Sequence, residues 1–163
     1  MLFPKTKDFL SSHSLLWNDG YLAFGFGKVA PPGRSIAAAL EFFSSQHVVT
    51  TMNGSLQELL VTERALRRVE AYRGPHMLVS LLEEELRMFS SYSFEKKHLD
   101  TVAALFFEEM GDCEVYTNMS TTSADLNGCG TSLWSPVTKR SQDFFLCAIN
   151  DRHLGYWLHT NDE

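Results

Sequence analysis

The chain has only three cysteines, Cys113, Cys129 and Cys147, none in its first 112 positions and none forming a C-x-x-C pair. So few, so late and odd in number, they do not make a disulfide framework, and the fold must be held by its core. No apolar run approaches the ~20 residues that a membrane span requires. The opening stretch, Met1 to Leu10, mixes apolar residues with Lys5, Lys7 and Asp8, unlike the apolar run and small-residue cleavage site of a secretory signal. Basic residues are also in short supply, 14 Lys and Arg against 20 Asp and Glu, for a net charge of −6. That balance argues against nucleic acid, whose phosphates are bound by clustered Lys and Arg. The expectation is a cytoplasmic protein with reduced thiols, with neither membrane nor nucleic acid as its partner. The chain also has no internal repeat and no low-complexity segment.

What is present suffices for a core. With 163 residues, 44% of them hydrophobic, the chain reads as a single domain over 1–163. Leu15-Leu16-Trp17, Asn18-Asp19-Gly20 and Tyr21 to Phe24 read as a hairpin. Ser35 caps a helix carrying Ile36, Leu40 and Phe43, and the β-branched stretch Val48 to Thr51 favours an extended link. Ser55-Leu56-Gln57-Glu58 has the form of a capping box, with Leu56, Leu59, Leu60, Leu66 and Val69 behind it at helical spacing and Gly74-Pro75 as the stop. A second helix follows from Pro75, with Leu78, Leu81, Leu82, Leu86 and Phe89 inward. A third is capped by Ser93 and ends at Gly111. Cys113 to Met119 alternates as a strand, 120–130 reads as a loop, and Phe144 to Ile149 and Leu154 to His159 form a hairpin across Asn150 to His153. The order implies an α+β fold, in which an antiparallel sheet from the N- and C-terminal segments carries about three to four central helices on one face.

Three motifs touch on chemistry. Gly25-Phe26-Gly27-Lys28-Val29-Ala30 matches G-x-G-x-x-A, but a dinucleotide turn needs a helix starting within it, and Pro31-Pro32 follows at once. It reads instead as two glycines within a strand. Glu95 and His98 form a single E-x-x-H, whereas a di-iron bundle needs two such motifs and two further glutamates. Glu83, Glu84 and Glu85 read as a solvated face, and His98 as a boundary residue. No metal and no cofactor is expected. Cys129, in Asn127-Gly128-Cys129-Gly130, could act as a nucleophile with His153 or His159 as base and Asp143 or Asp151 as orienting carboxylate. A small thiol-dependent hydrolase or transferase is therefore the enzymatic alternative, and a sheet-edge oligomeric adaptor a third one. No helix start near Cys129 is predicted to stabilise its thiolate.

Charge divided by segment is more informative. Residues 1–75 carry +2, residues 76–125 carry −7, and residues 126–163 carry −1. The acidity thus falls on the second and third helices and the strand after them. Such a surface is either an ordinary solvated face or one that steers a basic partner. Aromatics cluster at both ends of the chain, and the adjacent pairs Phe144-Phe145 and Tyr156-Trp157 put one ring on each side of a strand. A sheet covered on one face only would leave some exposed as interface anchors.

Leu133-Trp134-Ser135-Pro136-Val137-Thr138, Asp143-Phe144, Leu154-Gly155-Tyr156-Trp157 and the acidic Asn161-Asp162-Glu163 look like the closing strands of some bacterial immunity proteins. Together with its small size, acidity and aromatic-rich sheet, this ending resembles the immunity proteins paired with polymorphic or contact-dependent growth inhibition toxins. The resemblance implies a non-enzymatic inhibitor whose acidic face covers a cognate basic toxin domain, often a nuclease, at its active or substrate-binding surface. Glu83, Glu84, Glu108, Glu109, Asp112 and Glu114 would supply the electrostatics, and Trp134, Tyr156 or Trp157 the anchors.

Overall fold

Phe144 to Ile149 and Leu154 to His159 are almost unbroken apolar runs, and strands of that composition need cover on both faces. A computed structural model, which describes residues 2–30, 33–90, 92–119 and 136–161, places them at the centre of the molecule. In chain order the elements are α1 (Pro4–Ser12), α2 (Ser14–Trp17), β1 (Ala23–Lys28), α3 (Ile36–Ser45), β2 (Val48–Thr50), β3 (Leu56–Glu58), β4 (Arg67–Val69), α4 (Gly74–Phe89), α5 (Lys96–Met110), β5 (Glu114–Thr117), β6 (Gln142–Ile149) and β7 (His153–Asn161). A five-stranded antiparallel sheet runs β1-β7-β6-β5-β4, and β2 and β3 form a separate two-stranded ribbon. The architecture is α+β, as the element order implies.

Alternation along the strands divides the core in two. Leu146 and Ala148 of β6, Val115 of β5 and Trp157 of β7 face a layer built from α1, α4 and α5. Phe145, Cys147, Ile149, Leu154, Tyr156 and Leu158 face the other way, against α3 and the β2–β3 ribbon. The helices therefore do not all lie on one face. α3 inserts Phe43 edge-on between Phe145 and Tyr156, with centroids 5.3 Å from each. On the opposite face α5 buries Leu99, Val102, Ala103, Phe106 and Met110, a stripe at helical spacing. Phe106 descends onto Gly155, where an added Cβ would meet the ring at 2.7 Å.

Several local readings are corrected. Leu15 to Trp17 is not a strand: it is one helical turn that buries Trp17 and leaves Leu15 58% exposed. Strand β1 starts only at Ala23. The capping box at Ser55 opens no helix. Asn53-Gly54 reverses the chain, Gly54 at φ +90°, and Leu56–Glu58 pairs back onto Val48–Thr50. Thr51, Asn53 and Ser55 close this turn through side-chain and backbone hydrogen bonds. Leu56 ends exposed and Leu59 buried, so the leucine stripe shares no face. Further on, Thr62 caps a short 3-10 turn and Arg67–Val69 becomes an edge of the main sheet. Gly74-Pro75 starts α4 instead of stopping a helix, consistent with the preference for proline in a first turn. α5 starts at Lys96 with Glu95 at its N-cap position and no side-chain cap, so Ser93 does not cap it.

Candidate partner-binding surface

α4 and α5 pack antiparallel, with the start of one beside the end of the other: a Cβ on Gly74 would lie 2.5 Å from the Phe107 ring. Glu83 and Glu84 lie nine and ten residues further along α4, a rise of about 14 Å. The acidic side chains thus form two groups toward opposite ends of the pair, with Glu108, Glu109, Asp112 and Glu114 at the other end.

Most of these carboxylates already have a partner within the chain. Glu84 pairs with Arg87 on its own helix, Glu108 with Lys5 at 3.2 Å, Asp112 with Arg34 at 2.9 Å, and Glu114 with Arg68. Glu109 holds the first turn of α1, a helix without a capping side chain of its own. Its oxygens accept from the Lys5 and Thr6 backbone N–H groups and from Thr6 Oγ1, at 2.6 to 3.0 Å. Burial acts to raise its pKa. The Thr6 hydroxyl, the two N–H groups and the Lys5 charge outweigh that and hold the carboxyl below its ordinary value. Among the described residues Glu83 and Glu109 are the two of the six that form no ion pair, and Glu109 is held by its hydrogen bonds instead. The pairs of Glu108 and Asp112 are surface ones, with those side chains 65% and 86% exposed. Exposed pairs contribute roughly 0–1 kcal/mol and can be exchanged for a partner's cation.

Glu85 departs from the solvated face assigned to it. It lies four residues after Leu81, on the buried stripe of α4, and is 1% exposed. Its Oε1 lies 2.8 Å from Nδ1 of the fully buried His159, and its Oε2 accepts from the Tyr21 N–H. His159 Nε2 in turn lies 3.3 Å from Asn161 Nδ2, which donates to Gln142. The sequence signal was available: Glu85 occupies a core position of the Leu78-Leu81-Leu82 pattern. A second buried carboxylate, Asp143, accepts from Asn118, Thr138 and the Val137 N–H.

The proposed aromatic anchors are corrected. Trp157 is 0% exposed, stacked on Phe24 at 4.4 Å and edge-on to Phe106, and Tyr156 is 5% exposed beneath α3. Burial pushes the Tyr156 phenol up to about 12. Both faces of β7 are covered, so neither ring offers surface to a partner. Trp134 and Cys129 lie outside the described residues.

His159 is engaged by Glu85 and Asn161. His153 is half-buried against Phe3, its pKa lowered by burial and by the Arg152 charge. Asp151 pairs with Arg34 on the surface. Cys113 and Cys147 are buried: burial, then the Asp112 charge, raises Cys113 to about 11, and burial raises Cys147 to about 12. Glu95 pairs with Lys97, while His98 packs near His13. Among the described residues no three His, Cys, Asp or Glu side chains gather as metal ligands, and no helix is long and apolar enough to cross a membrane. Strand β1 runs through Gly25 to Lys28 of the G-x-G-x-x-A segment, where Gly25 and Gly27 leave room for the Tyr156 and Phe42 rings. No family model matches the chain, and neither a curated protein nor a solved structure matches it.

Proposed function

We propose that the chain is a non-enzymatic inhibitory binding protein of the immunity type, acting in the cytoplasm. Its partner would be a cognate basic toxin domain, a nuclease by preference, whose active or substrate-binding surface it covers. The observation that carries this reading is the exposed acidity of the α4–α5 pair within a segment of charge −7. Glu83, Glu108 and Asp112 stand at its surface, Glu83 with no ion pair among the described residues and the other two in exchangeable ones. Such an arrangement steers a cationic partner and raises its association rate. Glu109 is a structural group in this scheme, because removing it would uncap α1.

The test is co-purification with a basic toxin domain encoded beside this chain, followed by charge reversal at Glu83, Glu108 and Asp112. The triple variant should keep its fold and lose at least tenfold in association rate at low salt. Unchanged association with the toxin would remove the electrostatic part of the proposal.

A further inference from the structure

β1 is an edge strand, and among the described residues no strand pairs with its outer side beyond Leu22. Val29 N–H donates to Arg152 O, which fixes the phase of the β1–β7 ladder: residues 23, 25, 27 and 29 turn their backbone groups toward β7. Phe24, Phe26 and Lys28 therefore point their N–H and C=O groups away from the sheet. The preceding outward carbonyl, that of Leu22, is taken by the Met52 N–H. Among the described residues, nothing takes those of Phe24, Phe26 or Lys28.

Clefts flank this edge on both faces of the sheet. Between β1 and α1 lies one of about 340 Å³, lined by Leu10, Trp17, Phe24, Phe26 and Met52, with Lys7 beside them. Between β1 and α3 lies one of about 320 Å³, lined by Gly27, Ala38, Phe42, Glu41, Ser45 and Gln46. The first is mainly apolar, although Ser11, Ser14 and Asn18 also line it, and the second is largely polar. Lys7 Nζ sits 4.9 Å over the Phe26 ring, and Lys28 follows Phe24 and Phe26 on the same face by strand alternation. Neither ammonium group forms an ion pair with a described residue. Against a whole-chain charge of −6, Lys7 and Lys28 make the α1 side of this edge locally basic, while Glu41 is the one carboxylate lining the α3 cleft.

We infer that the β1 edge binds an extended segment of a partner protein by strand addition, a segment alternating apolar and polar side chains and carrying carboxylates. Its backbone would pair with Phe24, Phe26 and Lys28. Alternate side chains would enter the two clefts, the apolar ones on the α1 side, and carboxylates would meet Lys7 and Lys28. A second copy of β1 fits poorly: its Gly25 and Gly27 bring no side chain to the α3 cleft, and its lysine adds like charge. This surface is separate from the acidic α4–α5 pair, and the inference stands without the inhibitory reading.

The test is selection of displayed random 12-residue peptides on the full chain, with titration of synthetic winners. Enriched peptides should alternate apolar and polar residues with at least one carboxylate, and their binding should shift or protect the amides of Phe24, Phe26 and Lys28. Lys28→Pro removes an outward N–H without touching the β7 ladder and should weaken binding at least tenfold. Lys7→Glu keeps the whole backbone edge and should weaken it at least fivefold, which keeps the test decisive if the proline variant does not fold. No enrichment, equal binding by the folded variants, or amide changes confined to other elements would overturn the proposal. So would dimerisation of the chain through β1, seen as concentration-dependent light scattering that Lys28→Pro abolishes.

Discussion

Glu85 and His159 show at the residue scale how a charge pattern misleads when read without helix phase. Three consecutive glutamates suggest a solvated face, yet 100° per residue puts the third among leucines. Removing one member of such a buried pair leaves the other without its partner and costs about 3 kcal/mol or more. His159→Leu should therefore lower the urea-unfolding free energy by that amount, and Glu85→Leu added to it should restore a large part. Additive losses in the double-mutant cycle would show that the two groups are not coupled. The thiols give a second expectation at this scale. With Cys113 at about 11 and Cys147 at about 12, both stay protonated and covered at neutral pH. A thiol reagent at pH 7.5 should modify neither in the folded chain and both in denaturant, as read by peptide mass.

Glu109 yields the pH dependence. Its carboxyl titrates lower in the folded chain than in the unfolded one, so the unfolded state binds more protons over the interval between the two values. Stability from this group is then complete above the ordinary carboxylate range of about 4–4.5 and is lost as pH falls through the lower folded value. Glu109→Gln should be less stable than the parent at pH 7, with a gap that shrinks below pH 4 in denaturant titrations. His153, also lowered when folded, acts in the same sense across a higher interval, below about 6.5. A gap that widened with acid would contradict the assignment.

Segment 55–73 decides, at the scale of elements, how far the sequence could be read. Its leucines follow a helical period and its first four residues form a capping box, but the turn chemistry of Asn53-Gly54 prevails. A residue at φ +90° folds the chain back before any helix can start, and the ribbon so formed covers the α3 side of the sheet. Gly54→Val, forced into left-handed backbone with nothing nearby to support it, should cost about 1–2 kcal/mol. Ser55→Ala should leave helix content by circular dichroism unchanged. The α4 stripe, the Ser35 cap and the β6–β7 hairpin were legible because local pattern and tertiary burial agree there. The pairing of β4 and the covering of both sheet faces were not, since they depend on partners far along the chain. Trp157 illustrates the consequence for function. An alternating strand says that one ring faces each way but not what covers it, and here Phe24 and Phe106 do. Trp157→Ala should cost about 3–5 kcal/mol in global stability, measured by thermal or urea unfolding, before any effect on a partner can be read.

For the whole molecule, the −6 net charge is distributed unevenly, acidic toward the two ends of the α4–α5 pair and basic on the α1 side of the β1 edge. Surfaces of opposite sign respond to salt in the same direction but toward different partners. Association of a basic domain with the α4–α5 pair should slow severalfold between about 0.05 and 0.5 M salt, as screening shortens the range of the field. The apolar core, by contrast, gains no such dependence.

The sheet order also sets a timetable for folding. β1 pairs only with β7, some 130 residues later, as the Ala23–Leu158 register shows, and both core layers need side chains from β6 and β7. During synthesis the first strand waits, without its neighbour, until nearly all of the described chain has left the ribosome. Contacts this distant in sequence close slowly. The nascent chain therefore carries Phe24 and Phe26 without their β7 cover until His153–Asn161 has been made, and its solubility in that interval falls to the charged surface residues and to chaperones.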